Sequence, residues 1–457
     1  MEANKSIGGI ITKKGIYIPL KLLKSEDIKN LYCQTLIKPL IDKRFNKFKN
    51  PISLKQIIKT DNGNILVIPR FFKLKNYKIK CIKNLLDNNN KTIEINFLKS
   101  LNENQILVIN KTWDKIINDL NMLYCLPCGF GKTVIAIYII CKLKLRTFIL
   151  VHKEELLNQW IERLLFFTDI KKEEIGIIRG NKDVENKHKI IIGMAQTLMA
   201  DTFDNLRIPN DIGLLCCDEC HHLGAERFNK SIQKIPTKYY ISLSATPYRK
   251  DGTEDVYKSF LGYNIYTQER EFNDEVIVYK YNYEFSKEFK EENEKILNNP
   301  RGLAKTISLI ALENKRNEIL INLIKHLIKE QKKILILSDR IEQLLNLYDE
   351  IIKINDIEKY KDLKINRLFG RYREDINCDV LFATYAMAAE GLDVPQLNTL
   401  ILATPKTDVV QCCGRIMRKS TGETREIYDF VDDILEGFYY VRKKHYNTIA
   451  TMIKNLN

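Results

Sequence analysis

Residues 126–133 read Leu-Pro-Cys-Gly-Phe-Gly-Lys-Thr, between an apolar run (Asn121–Leu126) and a helix-like run (Thr133–Leu143). A glycine-bearing turn between a strand and a helix lets backbone N–H groups wrap a phosphate chain. This pattern predicts that Cys128, Gly129, Phe130 and Gly131 line such a chain. Lys132 is expected to reach its β- and γ-phosphates, and the Thr133 hydroxyl to hold Mg²⁺. Further on, Asp218-Glu219-Cys220-His221 follows the apolar run Ile212–Cys217, which reads as a buried strand. A carboxylate at the end of such a strand suits the metal, which makes Asp218 a candidate ligand. Its neighbour Glu219 is placed to orient and deprotonate water. Together the two stretches imply an ATP-hydrolysing site with ATP and Mg²⁺ as its cofactors.

At 457 residues the chain is long enough for two or three domains. It has no uninterrupted apolar stretch near 18 residues and no signal-peptide core at its start, so no membrane association is expected and the chain reads as soluble and intracellular. Eleven irregularly spaced cysteines imply reduced thiols rather than a disulfide framework. The net charge of +15 is uneven. Residues 1–97 hold 20 Lys/Arg against 7 Asp/Glu, a net of +13, which leaves +2 for the other 360 residues. A basic lobe on a near-neutral body fits a nucleic-acid partner, and a solvated lysine-rich surface gives the same count.

Three blocks organise the chain. Residues 1–97 mix strand-like runs (15–20 and 65–69) with basic segments. From residue 98 to 272, helical patterns alternate with apolar runs at 147–152, 189–193, 213–217 and 239–243. Residues 284–331 look helical and charged. A second alternating series follows at 333–337, 379–383, 399–403 and 426–431. Alternation of this kind predicts two α/β units built on parallel sheets flanked by helices. Gly302–Thr306 ends in Lys-Thr but has nothing glycine-rich before its lysine, so it is not a phosphate loop.

From about residue 98 to 440 the chain resembles a superfamily 2 DExH helicase. Gln105 resembles the upstream glutamine that reads the adenine edge; Asn102 and Asn104 stand where an arginine and an aromatic residue are usual. Thr147–Trp160, with His152 and Lys153, is similar to the first nucleic-acid-contacting segment. Gly193–Leu198, with Gln196 and Thr197, is similar to the next. Ser244-Ala245-Thr246 resembles the coupling motif. Asp379–Thr384 leading to Glu390-Gly391-Leu392-Asp393 resembles the fifth motif, and Gln411–Arg418 the sixth. The resemblance implies two tandem RecA-like lobes (98–272 and 273–457) behind a small basic N-terminal α+β domain (1–97). It implies that Arg415 and Arg418, three apart and on one face if that segment is helical, act as arginine fingers from the opposite lobe. It further implies that Asp393 approaches the ribose, that His221 pairs with Gln411, and that Ser244 and Thr246 link the ATP site to strand-binding residues including Thr384.

Within the superfamily the chain looks like XPB-like and phage-type DNA helicases. It also resembles the poxvirus transcript-release helicase and its relatives in large DNA viruses, whose N-terminal region Ile-Pro-Arg-Phe-Phe (68–72) resembles. Arg249-Lys250-Asp251 resembles the Arg-Glu-Asp element of XPB-type enzymes, and equally reads as a polar turn. The expectation is an ATP-dependent helicase or translocase on DNA, moving 3′ to 5′, in viral transcription or repair. Its partners would be nucleic acid (RNA as the other polymer) and the transcription machinery, in host cytoplasm or virion if the chain is viral. Alternatives are a duplex translocase that remodels complexes without separating strands, a binding scaffold with a dead ATPase, and the motor subunit of a restriction enzyme. Cys125, Cys128, Cys217 and Cys220 have zinc-like spacing, but one zinc would deform the ATP site, so they read as small core residues. His188, His326 and His445 read as solvent-facing.

Overall fold

A computed structural model describes residues 5–38, 51–127, 129–179, 184–200, 203, 208–220, 226–244, 252–268, 274–299, 302–389, 396–417 and 422–456, without the side chains of 226–229 and 389. The chain divides into two compact units, Met1–Glu269 and Arg270–Asn457.

Among the described residues the first unit holds two main sheets and a two-stranded antiparallel ladder of Leu36–Ile37 with Ile52–Ser53. Its larger sheet has seven strands, in the order Ile175–Ile178, Ile190–Met194, Thr147–Val151, Leu214–Cys217, Tyr239–Ser244, Asn121–Cys125 and Ile265–Thr267. Every pairing in it is parallel. Helices pack on both faces, so the central strands are buried throughout and read as continuous apolar runs. The helix Lys132–Leu143 is apolar nearly all round and buries Val134–Ile137 and Ile139–Cys141. Burial of each such aliphatic side chain contributes roughly 1.5–3 kcal/mol, which holds this helix, and the loop before it, against the sheet.

The smaller sheet orders its strands Gln56–Ile58, Ile65–Ile68, Gly15–Pro19, Lys5–Thr12 and Tyr77–Asn84. The last pairing is parallel and the others antiparallel. The helix Ser25–Gln34 caps it through Leu31, and Lys5 pairs with Asp27. Strand Tyr77–Asn84 is an edge whose Lys78, Lys80, Ile82 and Lys83 face solvent.

Arg70 and Phe71 fasten this sheet to the larger one. The Arg70 guanidinium donates to the carbonyls of Thr237 (3.0 Å) and Lys238 (2.5 Å) at the start of strand Tyr239–Ser244. It also lies 4.5 Å from the centre of the Phe71 ring and 4.9 Å from that of Tyr240. Phe71 N–H donates to the Ser259 carbonyl (3.1 Å), and its ring meets Tyr240 edge-on. Planarity and several fixed donors let one guanidinium serve two carbonyls while stacking on rings.

The second unit repeats the parallel architecture. Its strand order is Ile365–Leu368, Val380–Thr384, Ile334–Ser338, Thr399–Leu402, Arg425–Asp432, Val276–Tyr283 and Met452–Asn455, and every pairing is parallel. Helices Lys287–Leu297, Gly302–Leu312 and Asn314–Lys329 occupy the charged stretch expected to be helical. Strand Arg425–Asp432 carries three buried carboxylates, Glu426, Asp429 and Asp432, in its apolar pattern. Asp432 receives Arg316 through two nitrogens (2.6 and 3.1 Å). Asp429 receives Arg442 through two (both 2.8 Å) and the Tyr446 hydroxyl (2.8 Å). Arg442 and Tyr446 lie on helix Gly437–Ile449, so this pair fastens the C-terminal helix to the sheet.

His188 corrects a sequence expectation: it is buried, and its Nδ1 accepts the Glu185 N–H (2.9 Å) to close a turn. Gly176 gives the ring room, since a Cβ there would lie 2.8 Å from Nδ1. Burial lowers the pKa of this imidazole. His445 is half-buried, whereas His326 is exposed.

Substitution tests both fasteners. Arg70→Ala lowers the stability of the first unit by about 3 kcal/mol, in the range of charge-assisted hydrogen bonds, and Arg70→Lys does not restore it. Both tryptophans lie in this unit, so urea unfolding followed by tryptophan fluorescence reads it directly; a shift under about 0.5 kcal/mol, the usual size of a surface effect, counts against the fastener. Asp429→Asn strands Arg442 and costs about 3–5 kcal/mol, whereas Asp429→Leu with Arg442→Met costs much less. Thermal unfolding followed by circular dichroism distinguishes the two, and equal losses would mean the charge pairing is not the cause.

Candidate active site

The sheet register brings the candidate residues of the first unit to one edge. Cys217 lies beside Leu150 on one side and Ser242 on the other, and Ser244 lies beside Cys125. The carboxyl ends of four adjacent strands therefore deliver the 126–133 loop, His152 and Lys153, Asp218 and Glu219, and Ser244 to the same place. Asp218 N–H donates to the Leu150 carbonyl (3.0 Å), which carries the parallel ladder up to the acidic pair. The crevice outside the carboxyl ends of parallel strands is where α/β sheets take their ligands.

The loop is shaped by two glycines with positive φ, Gly129 (82°) and Gly131 (90°). Gly131 caps helix Lys132–Leu143, and a Cβ on it would lie 2.4 Å from Gln105 Nε2. The Lys132 ammonium donates to the carbonyls of Leu126 (3.0 Å) and Pro127 (3.4 Å), so the loop folds back on its own lysine. Thr133 stands half-exposed in the first helical turn. The first turn of a helix leaves N–H groups without intrahelical partners, and with the positive end of the dipole this end of Lys132–Leu143 suits an anion.

Gln105 is buried and already engaged at both ends of its amide. Its Oε1 accepts the Asn102 N–H (3.1 Å), its Nε2 donates to the Phe130 carbonyl (3.2 Å), and Asn102 Oδ1 accepts the Gln105 N–H (2.8 Å). These bonds form a capping box at the start of helix Glu103–Asp119. Gln105 thus ties that helix to the phosphate loop, and Asn102 serves as the helix cap.

Asp218 and Glu219 are both half-buried. Burial, then the Glu219 charge, push the Asp218 carboxyl above its ordinary range; the Trp160 N–H and the Lys132 charge oppose them. Glu219 has φ +46°, and its N–H donates to Asp218 Oδ1 (3.0 Å). A non-glycine residue held in this region stores on the order of 1–3 kcal/mol, a cost that recurs at functional sites. The Asp218 and Glu219 carboxylates and the Thr133 hydroxyl are hard oxygen donors of the kind Mg²⁺ takes, and a divalent ion would relieve the crowding of negative charge between the two carboxylates.

Trp160 is the contact that sequence reasoning missed. Its Nε1 donates to Asp218 Oδ2 (2.8 Å) from helix Glu154–Phe167. The usable signal was the residue type: a buried tryptophan N–H generally requires a partner.

His152 is buried, so its ring is not a strand-contacting surface; its carbonyl accepts from the Gln196 side-chain amide. Lys153 is half-buried, Gln196 exposed and Thr197 half-buried. Ser244 is buried at its strand end. Cys217 and Cys220 are buried in the core that Cys125 packs against, and burial pushes the Cys217 and Cys220 thiols well up.

In the second unit, Thr384 ends strand Val380–Thr384 and its hydroxyl accepts the Met387 N–H (3.3 Å). Gln411 is half-buried and Arg415 buried on helix Val410–Ile416. The helix ends at Ile416, with Met417 at φ −108° and ψ 23° as its cap. Cys128, His221, Thr246, Arg249, Asp393 and Arg418 lie outside the described residues.

Comparison with known proteins identifies the family. The family model "Type III restriction enzyme, res subunit" matches residues 98–249, and "Helicase conserved C-terminal domain" matches 315–420. "Putative ATP-dependent RNA helicase L396" of Acanthamoeba polyphaga mimivirus is 30% identical over 92% of the chain and 81% of its own length. "Putative helicase 161L" of Invertebrate iridescent virus 6 is 27% identical over 88% of the chain and 95% of its own. "DNA 3'-5' translocase XPB2" of Sulfurisphaera tokodaii is 33% identical over 31% of the chain and 30% of its own. The chain therefore belongs to the superfamily 2 helicases related to XPB and to those of large DNA viruses, ATP-dependent motors that bind nucleic acid.

Proposed function

We propose that this helicase hydrolyses ATP with Mg²⁺ to move 3′ to 5′ on DNA, and that nucleic acid stimulates its turnover. The observation that carries the chemistry is the gathering of Lys132, Thr133, Asp218 and Glu219 at one sheet edge. The DNA substrate and direction draw on the XPB2 relative, which is named for both. The mimivirus relative is named for RNA, so RNA is the competing polymer in the test. The viral relatives along most of the chain support a viral role, with transcription complexes as candidate partners.

In this reading Gly129, Gly131 and the start of helix Lys132–Leu143 cradle the phosphates. Lys132 exchanges its loop carbonyls for phosphate oxygens. Thr133 and Asp218 would hold Mg²⁺, which when bound would neutralise charge on the phosphates. Glu219 accepts a proton from the attacking water at a side-chain oxygen. Arg415 and Arg418 supply charge to the γ-phosphoryl group, an interaction worth on the order of 10³-fold or more in rate. Lys153, Gln196, Thr197 and Thr384 contact the strand, with Ser244 and Gln411 in the coupling. A second reading, translocation on duplex without strand separation, is favoured by the word translocase in the XPB2 name.

Steady-state ATPase with single-stranded DNA, duplex DNA, RNA or no polymer tests the substrate. Stimulation by RNA alone would overturn the DNA assignment. Displacement on 3′-tailed against 5′-tailed duplexes tests direction, and ATPase without displacement selects the second reading. Lys132→Ala and Glu219→Gln are each expected to abolish turnover, the latter by on the order of 10²–10⁴-fold, while only the lysine change greatly weakens nucleotide binding. Normal hydrolysis by Glu219→Gln would remove Glu219 as the base. Replacing exposed Lys78, Lys80 and Lys83 together by alanine is expected to flatten the salt dependence of DNA binding, by up to about 0.9 for each phosphate that is no longer neutralised. An unchanged slope would place that edge off the binding path.

A further inference from the structure

The chain has two tryptophans, and one of them touches the acidic pair. Trp160 is 1% exposed, with its ring in the core of the larger sheet. An indole N–H can only donate, and this one donates to Asp218 Oδ2 at 2.8 Å. The other carboxylate oxygen, Oδ1, accepts the Glu219 N–H at 3.0 Å. The terminal torsion of an aspartate is broad and roughly two-fold. One donor on each oxygen, approaching from different elements, fixes the plane of the group and with it the lone pairs left for a metal.

The helix that carries Trp160 begins at Glu154, directly after Lys153. Seven residues separate Lys153 from Trp160, or about 10 Å along a helix rising about 1.5 Å per residue. The same turn is held by the Gln196 amide on the His152 carbonyl. Both proposed strand-contacting segments of this unit therefore meet at the start of the helix whose second turn grips the acidic pair. Leu156, Leu157, Trp160 and Leu164 bury its inner face against the sheet, so a small tilt at one end changes the donor geometry at the other.

We propose that Trp160 is a positioning residue that holds Asp218 in its metal-binding orientation, and that its helix makes Mg²⁺ binding at the nucleotide site responsive to an occupied nucleic-acid strand. This rests on the reading of Asp218 as a Mg²⁺ ligand given above. It adds a physical route by which polymer could stimulate turnover within one unit. Partners that orient a ligating carboxylate typically alter metal affinity 10- to 100-fold when removed.

The test uses the full chain and a fluorescent, slowly hydrolysed ATP analogue. Mg²⁺ is titrated with and without a thymidine oligonucleotide, and the half-saturating Mg²⁺ for analogue binding is read. In the unsubstituted protein the oligonucleotide should lower that value. In Trp160→Phe, which keeps an aromatic ring and removes the donor, the value should rise on the order of tenfold and the oligonucleotide effect should vanish, with metal-free analogue affinity unmoved. Should the smaller ring unfold the helix, benzothienylalanine at position 160 keeps the shape without the N–H. In a Trp113→Phe chain, Trp160 is the sole tryptophan, and its emission should change as Mg²⁺ joins the analogue. Wild-type Mg²⁺ dependence in a folded protein lacking the N–H would overturn the proposal. A raised Mg²⁺ requirement with the oligonucleotide effect intact would overturn the link to the strand. Analogue binding indifferent to Mg²⁺ in the unsubstituted protein would overturn the assignment of Asp218 beneath it.

Discussion

Parallel pairing across the strands Thr147–Val151, Leu214–Cys217, Tyr239–Ser244 and Asn121–Cys125 is the constraint from which the site follows. Each strand end alone carries a short polar segment of little chemical use. Register places the phosphate loop, the acidic pair and the Lys153 turn side by side. A slip of one residue would turn each side chain to the opposite face and withdraw Asp218 from Leu150. Burial on both faces makes such a slip costly, because every residue of Leu214–Cys217 is in the core. Hydrophobic burial thus fixes the polar geometry, although it touches none of the polar atoms directly.

The loop's own hydrogen bonds describe a poised state. Lys132 is held by two carbonyls and Gln105 by the Phe130 carbonyl. These acceptors are neutral and the ammonium is charged, so in the proposed reading a phosphate oxygen would form the stronger bond and displace them. The lysine is thereby held within the loop, with its charge met by two carbonyls. Glu219 adds a local cost through its left-handed backbone. The flanking elements hold that conformation: Cys220 is buried on one side and Asp218 is bonded on the other.

Much of the layout was legible because strands covered on both faces must be apolar throughout, and such runs stand out against helices. The runs at 147–152, 213–217, 333–337 and 399–403 all fall on central strands. The glycine loop was legible for a different reason, since few residue types allow its backbone. Less was legible in the basic block. Strand Tyr77–Asn84 is an exposed edge whose lysines obscure its pattern, and Lys5–Thr12 pairs with it across a bulge. Long-range partners were also hidden. Asp429 and Asp432 interrupt an apolar run, and nothing local announces Arg442 or Arg316. His188 looked exposed among charged neighbours, yet its turn folds the ring inward onto Gly176. Gln105 was matched to adenine recognition, while its capping box depended on Asn102, a departure from the family pattern.

Asp429 and Asp432 on one large sheet and Asp218 on the other are partnered differently, and the difference bears on their chemistry. In the second unit the carboxylates of Asp429 and Asp432 each meet an arginine through two bonds, so little acceptor capacity remains. Such closed pairs fix a strand and a helix in place and are poor ligands for anything else. In the first unit Asp218 receives two single donors, neither from a cationic side chain, and its carboxyl is pushed up by burial and by Glu219. A carboxylate without a directly bonded cation, beside a second carboxylate, gains most from a divalent metal. The same residue type is therefore structural in one sheet and chemically available in the other. The distinction rests on whether arginine reaches it, and Trp160 orients Asp218 without supplying the charge that would close it.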